Sequence, residues 1–167
     1  MLHDFVQVLL EKQLQPTRTD GQQVRWQPPP VTKFKVNFDG VVFKEDKRAG
    51  LGIVIRNHQG QVLTSFSENI ALLPSIEDVE ALAAVRAMSF AAELGVSSTI
   101  IEGDSEVVIK ALKSEEESLS TYGHLIAAAR QFTDGFSSLS FTHTRRLGNI
   151  LAHNLARHAR HVSGYLV

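Results

Sequence analysis

Lys33-Phe34-Lys35-Val36-Asn37-Phe38-Asp39-Gly40 is the stretch from which the rest of the chain can be placed. Phe34, Val36 and Phe38 alternate with charged or polar residues, which is the period of a half-buried strand, and Asp39-Gly40 reads as its end. Asp39 then faces away from Phe38. Upstream, Pro28-Pro29-Pro30 closes a polar linker over residues 15–30, because proline can join neither a helix interior nor a central strand. Before that, Leu2, Phe5, Val6, Leu9 and Leu10 recur at helical spacing. The division predicted is a short helix and Pro-rich linker over residues 1–32, followed by one domain over residues 33–163. Downstream, residues 51–56 and 62–66 form two further strands across Asn57-His58-Gln59-Gly60, a connection of hairpin length, so three strands make an antiparallel meander. Ser75-Ile76-Glu77-Asp78 has capping-box spacing and opens an Ala-rich helix that Gly95 stops. A strand over residues 99–102 passes into a helix with Asp104 as an acidic cap. A helix over residues 122–132 and a last strand over 138–142 follow. Gly148-Asn149 then opens a final helix reaching about His161. The order βββαβααβα gives an α/β fold, with a mixed five-stranded sheet flanked by helices.

Composition narrows the chemistry. The 167 residues are 43% hydrophobic and 21% charged, within the range of one folded domain. There is no cysteine, which excludes disulfide frameworks, thiolate zinc sites and cysteine nucleophiles together. Oxygen and imidazole remain as metal ligands. No run approaches the roughly 18 apolar residues of a membrane span, and Asp4 and Glu11 near the start argue against a signal or transit peptide. An intracellular protein without a membrane partner is expected, with nucleus and cytosol equally open. The net charge of −1 hides an asymmetry: residues 135–167 hold Arg145, Arg146, Arg157 and Arg160 and no Asp or Glu.

Three carboxylates stand out. Glu80 shares a helix stripe with Ala83, Ala84, Ala87 and Ala91, small residues suited to close contact with a sheet. A carboxylate there needs a partner, whether a cation, a proton, or an arginine such as Arg86. Asp39 and Asp104 end strands that a crossover brings side by side. Each has an ordinary alternative: Asp-Gly is turn chemistry, and aspartate at a helix start is a common cap. Together, three carboxylates on adjoining elements repel one another unless a divalent cation lies between them, and magnesium is the oxygen-preferring candidate.

These residues, with Trp26-Gln27-Pro28-Pro29-Pro30, Gly50-Leu51-Gly52, Arg56-Asn57, Glu102-Gly103-Asp104-Ser105 and the run from His143 through Asn149 to Ala156, resemble the type 1 ribonuclease H fold. The resemblance is specifically to the plant ribonuclease H-like domain, found alone and at the ends of non-LTR retrotransposon reverse transcriptases. It covers about residues 26–161. It implies that strands 1-2-3 are antiparallel and strands 1-4-5 parallel. It also implies that Asp39, Glu80 and Asp104 are three of four acidic ligands to two Mg²⁺ or Mn²⁺ ions, with Asp39 bridging. Two such ions activate a water and stabilise the departing oxygen. The implied substrate is the RNA strand of an RNA–DNA hybrid, recognised through 2′-hydroxyls. Where the family carries its fourth aspartate, four residues after Asn149, this chain has His153, a neutral ligand that favours manganese over magnesium. His143, six residues before Asn149, matches a loop histidine that aids proton transfer. Nucleic-acid contacts are expected from Gly40, Arg145, Arg146, Asn149 and Arg157, since the place of a basic handle is taken by Glu115, Glu116 and Glu117. The departures also raise the alternative of a non-cleaving module that binds nucleic acid or protein. A metal-free two-carboxylate sugar hydrolase is a third class. The N-terminal helix is expected to dock on the body, stay loose or mediate self-association.

Overall fold

β1 (Phe34–Phe43) runs straight past the Asp39-Gly40 step that the sequence marks as its end. The reason lies in its partner. β2 (Arg48–Arg56) pairs antiparallel with it without interruption, from Lys35↔Arg56 to Phe43↔Arg48, and this ladder outweighs the turn preference of Asp-Gly. The bend comes at residues 44–47 instead, with Lys47 at φ 50°. A Cβ at Gly40 would lie 2.8 Å from Val79 Cγ1, so glycine here lets the following helix press onto the strand.

The computed structural model describes residues 2–14 and 25–167; residues 15–24 of the expected linker lie outside them. β3 (Val62–Ala71) completes the meander, and β4 (Ser98–Gly103) and β5 (Ser138–His143) add in parallel on the other side of β1. The sheet has six strands rather than the five expected. Tyr165–Leu166 pairs antiparallel with β3 as a two-residue β6, too short to show any period, and the order is β5-β4-β1-β2-β3-β6.

α2 (Ile76–Glu93) starts where predicted, with Ser75 Oγ accepting from the Asp78 N–H at 3.1 Å. With α3 (Glu106–Lys113) and α4 (Gly123–Arg130) it covers one face of the sheet, burying Val36, Phe38, Leu51, Ile53 and Ile55 against Ala84, Met88, Val108 and Ile126. The expected final helix is α5 (Ile150–His158), flanked by 3₁₀ turns at Arg146–Asn149 and Ala159–His161. It packs on the opposite face through Leu151, Ala152 and Leu155. α1 (Leu2–Leu14) joins that layer, with Leu2 and Val6 buried against Val54 and Leu155 and Phe5 stacked on His158 at 4.2 Å. Of the three fates open to this helix, its apolar face is covered by the chain itself. Among the described residues no helix is long and apolar enough to cross a membrane.

α5 lies almost on the backbone of β2. A Cβ at Gly52 would stand 2.2 Å from Ala152 O and 2.3 Å from Ala156 N. Because backbone cannot step aside as a side chain can, Gly52→Ala should destabilise the protein by about 3 kcal/mol or more in urea unfolding; a change under about 0.5 kcal/mol would show that α5 does not sit this close.

Candidate metal centre

β1 and β4 run parallel with Asn37 opposite Glu102, so two residues further on Asp39 and Asp104 emerge together at the end of the β4 ladder. Glu80 arrives from α2. Each of the three offers a carboxylate oxygen within 4.8 Å of the others. Asp39 is fully buried and Glu80 nearly so, whereas Asp104 sits at the rim.

The ordinary alternatives for these residues are excluded by their neighbours. Asp39 lies within a strand, not a turn. Asp104 does not cap α3; Ser105 does, its Oγ accepting from the Val108 N–H at 3.4 Å. Arg86, the arginine considered for Glu80, pairs instead with Glu68 at 2.9 Å. Among the described residues, Glu80 Oε2 and Asp39 Oδ1 are buried with no hydrogen-bond partner outside the cluster. Buried oxygens of this kind, aimed into one gap, suit a hard cation that prefers oxygen ligands.

The electrostatics agree. Burial pushes the Glu80 carboxyl up to about 10, and the charges of Asp39 and Asp104 push in the same direction. Burial also raises Asp39; the hydrogen bond from His153 pulls it down without cancelling the effect, and Asp104 adds to the rise. Without a cation, the cluster holds a proton in its place.

His153 Nδ1 lies 2.6 Å from Asp39 Oδ2, and its Nε2 lies 3.3 Å from Arg146 Nη1. The neutral tautomer protonated on Nδ1 satisfies both contacts, donating to Asp39 and accepting from Arg146. The imidazole is thus seated as a hydrogen-bond partner of Asp39, outside the group of mutually close ligand atoms. Arg146 completes the rim with Nε 2.5 Å from Asp104 Oδ2. Burial works against its charge, but the bond to Asp104 together with the charges of Asp104, Asp39 and Glu80 outweighs this and raises its pKa.

The other expected site residues are distributed unevenly. His143 ends β5, exposed, with Nε2 3.3 Å from Asp104 O. Arg145 is exposed beside Arg146. Arg157 is exposed one helical turn beyond His153, beside Phe5, Leu9 and Phe43. Gly40 and Asn149, expected at the nucleic-acid surface, are inside the protein. Asn149 is fully buried, donating to Phe38 O at 2.9 Å and accepting from Asn37 at 3.1 Å, which pins the start of α5 to β1.

Sequence reasoning missed the polar layer directly beneath the carboxylates. Asn37 Nδ2 donates to Glu102 Oε1 at 3.1 Å, while its Oδ1 accepts from Trp26 Nε1 at 2.9 Å and from Arg56 at 3.2 Å. Glu102 also pairs with Lys35 at 3.2 Å and accepts from Thr142 at 2.9 Å. The Arg56 guanidinium lies 3.8 Å over the Trp26 ring. A signal was present: Lys35, Asn37 and Glu102 occupy polar positions on central strands covered on both faces, where such groups must find partners.

Residues 37–159 match the model of the family described as reverse transcriptase-like. No curated protein matches the sequence. Among solved structures, ribonuclease H1 of the halophilic archaeon Halobacterium salinarum is similar with a TM-score of 0.70 and 25% identity, over 77% of this chain and 98% of that one. The N-terminal ribonuclease H domain of a Mycobacterium tuberculosis protein gives 0.68 and 20%, over 76% and 92%. A compost-derived ribonuclease H1 solved in complex with an RNA/DNA hybrid gives 0.65 and 23%, over 76% and 96%. The fold is that of ribonuclease H.

A carboxyl whose pKa is raised on folding stabilises the protein below its unfolded value, and that stability is lost as pH climbs toward the folded value. For Glu80 the window runs from about 4.5 to about 10. In EDTA the melting temperature should therefore fall as pH rises through this range, Mn²⁺ should restore more stability at pH 9 than at pH 5, and Glu80→Gln should flatten the profile. A flat wild-type profile in EDTA would contradict the buried, mutually repelling cluster.

Proposed function

The chain belongs to the reverse transcriptase-like family, and we propose that it is a divalent-cation-dependent nuclease that hydrolyses the RNA strand of RNA–DNA hybrids, of the plant ribonuclease H-like type. One observation carries this reading. Asp39, Glu80 and Asp104 offer oxygens within 4.8 Å of one another, and among the described residues Asp39 and Glu80 each hold a buried oxygen that no group outside the cluster satisfies.

Asp39, Glu80 and Asp104 would hold the cations, with Asp39 at the centre. Divalent cations supply activation of the attacking water and charge stabilisation of the leaving oxygen. The chain's own residues do the rest. Glu80 gives up its proton to become a ligand, so cation binding strengthens as pH rises. His153, through Nδ1–H, fixes the orientation of Asp39. Arg146, whose Nε is engaged by Asp104 and Nη1 by His153, would offer its second terminal nitrogen to a phosphate oxygen, and Arg145 would add charge beside it. His143, exposed against the Asp104 backbone, would exchange a proton with the leaving group. A hybrid, with its wide, shallow minor groove and 2′-hydroxyls, is the substrate class that the family resemblance and the hybrid-bound structural neighbour both support.

A second reading has an observation of its own. Both His153 nitrogens are engaged within the protein, which leaves three carboxylates to hold two dications and favours a binding module with weakened catalysis. Purified protein should cleave the RNA strand of a hybrid faster with Mn²⁺ than with Mg²⁺. EDTA and Asp39→Asn should each reduce cleavage to background. His153→Asp should raise Mg²⁺-supported turnover toward the Mn²⁺ rate. Hybrid binding without cleavage in either metal would favour the module.

A further inference from the structure

His153, Arg157 and Arg160 fall three or four residues apart along α5 and its closing 3₁₀ turn and so share one side, and Arg146, in the 3₁₀ turn before α5, joins them through His153. The near end of the line is at the carboxylates, where Arg146 Nη1 meets His153 Nε2 at 3.3 Å. At the far end the Arg160 guanidinium lies 5.5 Å over the Phe43 ring and pairs with Asp46 at 2.8 Å. Between them Arg157 is exposed and, among the described residues, has no acidic partner. Arg157 and Arg160 share a groove of about 530 Å³ with Phe5, Phe43, His158 and His161.

The surroundings favour an anion over this line. No Asp or Glu occurs anywhere in residues 135–167. At the far end the acid that reaches it from another element is Asp46, on the turn Lys44-Glu45-Asp46-Lys47 whose charges cancel, while at the near end Asp104 and Asp39 pair with Arg146 and His153. The Arg160–Asp46 pair is exposed on both sides, and pairs of that kind hold together by at most about 1 kcal/mol, so a phosphate can compete for the arginine. β1 supports the same direction. Its pairing with β4 stops at Phe38, so residues 39–43 have no strand on that side and Val41 and Val42 are partly exposed, while Asp39, Gly40 and Phe43 stay buried.

We propose that this side of α5 is a second nucleic-acid contact, a track for the backbone phosphates of the substrate duplex leading away from the carboxylates. The track deepens the nuclease reading by setting how much duplex the protein needs beyond the cleaved position. From residue 146 to residue 160, at about 1.5 Å per residue, the line spans roughly 20 Å. That corresponds to about six base-pair steps at 3.4 Å each. Substrate length, rather than base sequence, is what the track reads.

The test is binding of end-labelled hybrids of about 6, 12 and 18 base pairs by the full chain in EDTA, so that cleavage plays no part. Arg157→Gln with Arg160→Gln should weaken binding of the two longer hybrids, which span the whole track, roughly tenfold, and of the shortest, which falls just short of Arg160, by several-fold less. The same pair should reduce the slope of log affinity against log salt by about 1 to 2, since each lost phosphate contact removes about 0.9. Arg157→Lys with Arg160→Lys should restore the slope, and thermal melting should be alike for all three proteins. Equal affinity and slope for wild type and the glutamine pair at every length would overturn the track, as would an equal loss at every length or a wild type that binds no hybrid. If the length and salt effects appear while a separate assay finds no cleavage with either metal, the nuclease reading falls and the track stands.

Discussion

Buried beside each other, Asp39 and Glu80 cannot both carry a negative charge unless something positive lies between them. At 4.8 Å and an effective dielectric constant near 20, each pair of carboxylate charges repels by about 3.5 kcal/mol, before the loss of hydration is counted. That is a large fraction of the stability of an ordinary domain. The fold nevertheless places Asp39 at complete burial and brings Glu80 and Asp104 to it from two other elements. A proton answers the repulsion in the free protein, and a divalent cation would answer it with more charge. Chemistry and stability are linked at this one point.

Much of the sheet serves to hold that arrangement. The register that sets Asn37 opposite Glu102 fixes where Asp39 and Asp104 emerge, and the polar layer around Asn37 locks the register with Trp26, Arg56, Lys35 and Thr142. Losing one partner from such a layer leaves others buried and unsatisfied, which makes it rigid. On one face, Gly40 lets α2 approach closely enough for Glu80 to reach the site; on the other, Gly52 does the same for α5 and His153. Asn149 ties the start of α5 to the Phe38 carbonyl, immediately before Asp39.

The meander, the helix capped by Ser75 and the convergence of three carboxylates were legible because each follows from local periodicity or from the right-handed crossover that sets neighbouring strands parallel. What was not legible depended on partners distant in sequence. Asp39-Gly40 has turn chemistry, and only the complete ladder with β2 carries the strand through it. Asp104 has cap chemistry, and only the neighbouring Ser105 takes that role. Gly40 and Asn149 are short, polar or flexible residues in motif positions, which invites a surface assignment; the packing of Val79 and the needs of Asn37 draw them inside. Two paired residues at Tyr165–Leu166 are too few for any pattern. His153 shows most plainly what sequence position leaves undecided. Its place in the helix was readable, whereas its two hydrogen-bond partners, which decide what it can ligate, were not.

A crystal of the protein soaked in Mn²⁺ and measured at the manganese absorption edge addresses the carboxylate cluster most directly. An anomalous peak bonded to oxygens of Asp39, Glu80 and Asp104 is the expected result. Manganese sites elsewhere on the molecule, with none among those three side chains and Arg146 still bound to Asp104, would contradict it.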